Sequence, residues 1–346
     1  MIVTLLLMAL IWFGGGYLGM RRGVRQALIV AIYLFGMLAH VALPSGNALR
    51  GYFGAVWGEW ALVGIVLFAV IGARTGLAWL REKAQKHAPE KKRPSDLTDT
   101  EVDRYARHIF LREIGGAGQK RLKKSKVLVI GAGGLGAPAS LYLAAAGVGR
   151  IGIIDDDVVD SSNLQRQVIH KDSNIGIPKV FSAEQELAAQ NPFIEIRPYN
   201  RRLTAELAAE LFAEYDLILD GTDNFETRYL VNATAVKLGK PLISAAMTQW
   251  EGQISLYDPA HGAPCYQCVF PEAPADGLAP SCAEAGVAGP LPGVIGSLMA
   301  LEAVKEITQA GEGLRGQLLM YDGLYAVARK IAVKKRSDCP ICGTKS

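Results

Sequence analysis

At 346 residues the chain is long enough for two or three domains, and its formal net charge of +4, set by 37 basic and 33 acidic side chains, is too modest for a nucleic-acid groove. Half of the residues are apolar, an excess that sits mostly in the first eighty positions, so the chain reads as two unlike parts. The five cysteines (Cys265, Cys268, Cys282, Cys339 and Cys342) form two C-x-x-C pairs and one remainder, which is a poor disulfide framework and fits a reducing compartment with one metal site and one free thiol.

Residues 1–20 carry no charge and are about as long as a helix needs to cross a bilayer. Residues 26–43 form a second such run. A third, around residues 57–80, is weaker because Glu59 and Arg74 leave only a short uncharged centre. The first basic residue, Arg21, follows the apolar core instead of preceding it, which disfavours a cleaved signal peptide. Arg21, Arg22 and Arg25 lie between the first two runs, and Arg81, Lys83, Lys86, Lys91, Lys92 and Arg93 follow the third. With both basic segments inside, the N-terminus falls outside and the long C-terminal part in the cytoplasm. Residues 1–80 are accordingly expected to form a transmembrane region of about three helices in the cytoplasmic membrane. Residues 81–96 are then a basic linker on anionic lipid, and residues 97–346 the catalytic domain.

Thr98-x-x-Glu101 is a capping-box pattern, and the helix it opens contains Arg104, Tyr105, Arg107 and His108. From Lys126 onward strand and helix alternate. Residues 126–130 read as a buried strand, Gly131, Gly133, Gly134 and Gly136 as a tight turn, and residues 137–146 as a small-residue helix. A second strand, 151–154, ends in Asp155-Asp156-Asp157, and residues 217–220 and 241–244 are further strands. The alternation predicts an α/β fold, a Rossmann-like, mostly parallel sheet with helices on both faces.

The glycines let backbone N–H groups approach phosphate at a helix N-terminus. Asp155, nineteen positions after Gly136, can bond ribose hydroxyls. So far a nicotinamide-dependent oxidoreductase fits equally well. The segments that follow, Ser161-Ser-Asn-Leu-Gln-Arg-Gln167 and Gly176-Ile-Pro-Lys179, separate the two readings. Hydride transfer needs no cations beyond the helix dipole, whereas breaking a phosphoanhydride builds charge that Arg166 and Lys179 are suited to meet. Asp223, in Asp220-Gly-Thr-Asp-Asn224, follows a strand end and can hold Mg²⁺ through oxygen. The pairs Cys265/Cys268 and Cys339/Cys342, with seventy residues between them, suit one tetrahedral structural Zn²⁺ that clips the C-terminal tail to the body.

From about residue 97 onward the chain resembles the E1-like activating enzymes of the MoeB/ThiF/HesA type. The resemblance rests on RYARHIFL (104–111), GAGGLGAPAS, the aspartates after the second strand, SNLQRQ, GIPK, GTDN, EGQ (251–253), both cysteine pairs and AGVAGPLPGVIGSLMALEAVK. It implies ATP-dependent adenylation of the C-terminal glycine carboxylate of a ubiquitin-like sulfur-carrier protein ending in Gly-Gly, with release of pyrophosphate. Under it, Asp155 would contact ribose, Asn163 would help place the nucleotide, Arg166 and Lys179 would bind the phosphates, and Asp223 would bind Mg²⁺. Arg107 would reach into a neighbouring protomer's ATP site, which implies a homodimer. Cys282, in Pro280-Ser-Cys-Ala-Glu-Ala-Gly286, matches a position that in some members bonds covalently to the activated carrier. With no rhodanese domain after the last cysteine pair, the sulfur donor would be a separate protein. No nucleic-acid partner is expected. Within the class, activation of a tRNA-borne carboxylate (threonyladenosine dehydratase type) is the alternative, and the zinc pairs with the Cys282 context favour the carrier branch. A degenerate membrane scaffold is opposed by the retained Arg166, Lys179 and Asp223.

Overall fold

The computed structural model describes residues 2–17, 20, 22–44, 47, 96–274 and 285–343, with single positions between 58 and 76. The chain divides into two compact units, residues 1–92 and 93–346.

In the first unit, helices α1 (Ile2–Tyr17) and α2 (Arg22–Ala42) pack against each other. The Arg25 guanidinium donates to the Trp12 carbonyl at 2.8 Å and lies 5.2 Å from the centre of its ring. The expected membrane anchor is overturned here: among the described residues no helix is long and apolar enough to cross a membrane. The 16 residues of α1 rise only about 24 Å, short of a hydrocarbon layer of about 30 Å. The 21 residues of α2 include Arg22 and Arg25 at one end and His40 at the other. That leaves an apolar stretch, 27–39, of roughly 20 Å. The apolar runs in the sequence extend past the end of α1 at Tyr17 and over the polar ends of α2. The multi-pass placement in the cytoplasmic membrane goes with it. The third apolar run, apart from a few positions, and the basic linker up to residue 95 lie outside the described residues.

The second unit opens with α3 (Asp99–Ile109), which carries the expected capping box: the Glu101 N–H donates to Thr98 Oγ1 at 3.3 Å, and Glu101 Oε2 accepts from the Thr98 N–H at 3.0 Å. Lys123, near the end of α4 (Gly115–Lys124), closes on the same carboxylate at 2.7 Å. An eight-stranded sheet follows, formed by β1 (Lys126–Ile130), β2 (Arg150–Ile154), β3 (Glu195–Tyr199), β4 (Leu217–Asp220), β5 (Leu242–Thr248), β6 (Glu251–Tyr257), β7 (Gln317–Asp322) and β8 (Val327–Ala332). Its order is β3-β2-β1-β4-β5-β6-β7-β8, parallel through β5 and antiparallel beyond.

Residues of β1 alternate between two cores, Val127 and Val129 on one side and Leu128 and Ile130 on the other. This is why KVLVI reads as an unbroken apolar run: a parallel strand is covered on both faces. The first core lies under α5 (Gly136–Ala146), α6 (Lys179–Gln190) and α10 (Leu291–Thr308), and the second under α7 (Ala205–Glu214) and α8 (Phe225–Lys237). The strand order reverses between β1 and β4. At such a switch point the chain leaves the two C-terminal strand ends in opposite directions and opens a crevice.

Candidate active site

The crevice is a cleft of about 640 Å³. Its floor is the turn between β1 and α5. Gly131 adopts φ of +91°, where a side chain would be strained, and a Cβ at Gly136 would collide with the Gly131 carbonyl. Gly131, Gly133, Gly134 and Leu135 line the cleft. Among the described residues the N–H groups of Gly133, Gly134 and Leu135 have no hydrogen-bond acceptor. Unpaired donors at the N-terminus of an eleven-residue helix make an anion site.

The end of β2 supplies the next wall. Asp155 Oδ2 accepts from the Ala132 N–H at 2.8 Å and Oδ1 from the Asp157 N–H at 2.9 Å. Burial raises its pKa, against the nearby Lys179, which lowers it. Lys179 begins α6 and is 4% exposed. Its Nζ lies 2.8 Å from Asp157 Oδ2, and its N–H donates to the Asp157 carbonyl at 3.0 Å. Arg166 follows the short helical turn Ser161–Asn163, where its Nη2 donates to Asn163 Oδ1 at 2.9 Å and its Nη1 to the Ser162 carbonyl at 3.2 Å.

The opposite wall comes from the end of β4. Asp220, fully buried, accepts from the Thr222 N–H (3.0 Å), the Thr222 hydroxyl (2.7 Å) and the Ser244 hydroxyl (2.9 Å). These bonds fix the loop that presents Asp223, whose exposed carboxylate faces the cleft with no protein partner among the described residues. Asn224 caps α8 by accepting the Thr227 N–H at 2.9 Å. Arg228, one turn into that helix and buried, reaches back to the Thr222 carbonyl at 2.5 Å.

Most of the expected site residues therefore meet: Gly131, Gly133, Gly134, Asp155, Arg166, Lys179 and Asp223 all line one cleft. Gly136 sits just behind, as the first residue of α5. Asn163 is not among the residues lining the cleft, and its Oδ1 accepts from Arg166, which is among them. Arg107 is exposed on α3 and does not line the cleft of its own chain. Cys282 lies outside the described residues. Sequence reasoning missed Asp157, Arg201, Arg202 and Arg228, which also line the cleft. Asp157 was visible inside the aspartate triplet, and Arg228 falls four residues after a helix cap, where a side chain can fold back on the preceding loop. The Arg201–Arg202 pair had no signal, because β3 was not recognisable as a strand.

Across the unit, Cys265 and Cys268 at the short helix α9 (Tyr266–Val269) meet Cys339 and Cys342 from the tail. The Sγ separations are 3.9 Å for Cys265–Cys268, 3.6 Å for Cys265–Cys339 and 3.3 Å for Cys268–Cys342, and all four sulfurs lie within 4.8 Å of one another. Zn–S bonds of about 2.3 Å in a tetrahedron hold sulfurs about 3.8 Å apart, so the set fits zinc.

A switch-point cleft with a glycine turn for a floor, arginine and lysine on one wall and a free carboxylate on the other is suited to a nucleotide and to phosphoanhydride chemistry. Comparison with known proteins makes that class specific. The chain belongs to the ThiF family, whose model matches residues 105–341. It is 50% identical over 250 residues to a sulfur carrier protein adenylyltransferase of Thermus thermophilus, an alignment covering 71% of this chain and 92% of that protein. It is 51% identical over 249 residues to a probable adenylyltransferase/sulfurtransferase, MoeZ, of Mycobacterium tuberculosis, spanning 71% of this chain but 64% of that longer protein. Among solved structures, that of E. coli MccB with MccA-N7isoASN shares the fold, with a TM-score of 0.62 at 24% identity over 69% of this chain and 75% of that one.

Proposed function

We propose that this protein is an adenylyltransferase that uses ATP to activate the C-terminal carboxylate of a sulfur-carrier protein. Adenylation of a sulfur carrier is the activity that the relatives' names support. The observation that carries it at this site is the placement of Arg166 and Lys179 beside the free N–H groups of the glycine turn. Three kinds of positive group converge where a triphosphate would lie.

The carrier's terminal carboxylate oxygen attacks the α-phosphorus, the bond to the pyrophosphate oxygen breaks, and the acyl-adenylate and pyrophosphate result. Such a step needs no side-chain nucleophile, only alignment and neutralisation of the charge on the leaving group. Lys179, held at the helix start by Asp157, and Arg166, braced by Asn163, meet that charge. Asp155 offers its remaining lone pairs to the ribose. Asp223 would hold Mg²⁺, which when bound would further neutralise the phosphate charge. The far end of the cleft, at Met247, Gln253 and Met320, leads onto the antiparallel strands and gives an extended Gly-Gly tail a route to the nucleotide. Arg107, exposed and off its own cleft, completes the site of a second protomer in a homodimer. The four cysteines would hold one structural zinc.

The test is ATP–pyrophosphate exchange with candidate carriers from the same genome. Exchange that requires a carrier with an intact C-terminal glycine supports the reading. Absence of exchange with every such carrier would sink it.

A further inference from the structure

Behind the glycine turn, on the side away from the cleft, lies a buried polar cluster that the phosphate chemistry does not use. His170 is 5% exposed, with Nε2 2.9 Å from the Ala132 carbonyl and Nδ1 2.9 Å from Ser182 Oγ. A carbonyl can only accept, so Nε2 carries the proton and Nδ1 accepts from the Ser182 hydroxyl. Asn174 Nδ2 donates to the same Oγ at 2.9 Å, and Ser182 is fully buried. Burial, with Lys179 nearby, lowers the imidazole pKa against the Ala132 bond and the Asp155 charge, which raise it.

Ala132 is thus held through both of the peptide groups that flank it. Its N–H is taken by Asp155 at 2.8 Å and its carbonyl by His170 at 2.9 Å. Ala132 itself is buried and does not line the cleft, while its successors Gly133, Gly134 and Leu135 line it with unpaired N–H groups. A glycine-rich segment has many accessible backbone states, and fixing the two peptide planes that flank Ala132 within it removes most of them. The same cluster ties the turn to the cation, because Ser182 stands three residues along the helix that Lys179 begins.

We propose that His170 is a positioning residue of the phosphate site. Acting through the Ala132 carbonyl, and with Asp155 on the other end of that residue, it keeps the glycine turn in its phosphate-binding form and in register with Lys179. The proposal rests on the nucleotide reading above, and the two are tested separately. The experiment is calorimetric titration of the full chain with ATP, and with adenosine by competition, in the wild type, His170→Leu and His170→Gln. Leucine keeps volume and removes the donor, whereas glutamine returns an N–H near the Nε2 position. His170→Leu is expected to weaken ATP about tenfold, the scale of one lost buried hydrogen bond, and to leave adenosine unchanged. His170→Gln is expected to recover most of the ATP affinity.

A purely packing role would weaken both ligands alike or neither, and either pattern overturns the proposal. So does a glutamine variant no better than leucine. Failure of the wild type to bind ATP would overturn the nucleotide reading and this proposal together. If His170→Leu does not fold, Ser182→Ala is the second probe: it removes the hydroxyl that sets the tautomer, and selective loss of ATP over adenosine is again required.

Discussion

Lys179→Met removes the cation from the cleft while keeping the length of the side chain. Lys179 is buried at the start of α6, and among the described residues its ion pair is with Asp157, whose side chain is 69% exposed. Losing the pair leaves a carboxylate that water can solvate, so the stability change should stay within about 1 kcal/mol. The functional loss is different in kind, because the ammonium meets phosphate charge in a site partly closed to water. A hydrogen bond to a charged group is worth about 1.5–3 kcal/mol, which corresponds to a fall of roughly ten- to a hundred-and-fifty-fold in exchange rate. The assay is ATP–pyrophosphate exchange at saturating carrier, with thermal unfolding measured on the same samples. Exchange at the wild-type rate in a stably folded variant would refute the assignment of Lys179 to the phosphates.

Arg107→Ala should also lose exchange, but mixing it with Lys179→Met protein under subunit-exchange conditions should restore about a quarter of wild-type activity, since half of the dimers are mixed and each has one intact site. No recovery on mixing would place Arg107 outside the partner's site. Asn163→Ala, which only unbraces Arg166, should lower exchange by several-fold less than Arg166→Ala, and an equal loss would give Asn163 a direct role. Elemental analysis should find one zinc per chain. Cys339→Ser should reduce that content and lower the melting temperature, because structural-metal binding energy is folding energy; zinc-free protein of unchanged stability would contradict the site. The pKa of His170 is lowered from 6.5, chiefly by burial. The unfolded chain therefore takes up the proton first as pH falls, and stability declines below about pH 6.5 until the folded-state pKa is reached. Between pH 7.5 and 5.5 the melting temperature of the wild type should fall further than that of His170→Gln, and parallel curves would deny the shift.

The sheet's centre was legible because burial on both faces writes itself into the sequence as runs such as KVLVI and LILD. The glycine turn was legible because its backbone tolerates few alternatives. The strand β3, Glu195-Ile-Arg-Pro-Tyr199, hid because its pattern is mixed: Glu195 bonds both Arg150 and Arg197 on a half-buried edge, and Pro198 is its fourth residue. With β3 unseen, the Arg201–Arg202 wall went unseen too. The cysteine cluster could be read from spacing alone, since two C-x-x-C knuckles can meet whatever lies between. The contact between Asn163 and Arg166 could not, because an i to i+3 contact depends on a turn shorter than any periodicity can mark. At the N-terminus, hydropathy measured how apolar the residues are but not where the helices stop, and the break between α1 and α2 divides the first two apolar runs.

Intact-mass spectrometry of the carrier tests the central claim most directly. Incubated with this protein, ATP and magnesium, a carrier ending in Gly-Gly should gain the mass of one adenylyl group, labile to hydroxylamine and absent when the last glycine is deleted. An unmodified carrier, or an adduct that survives loss of the C-terminal glycine, would contradict the account.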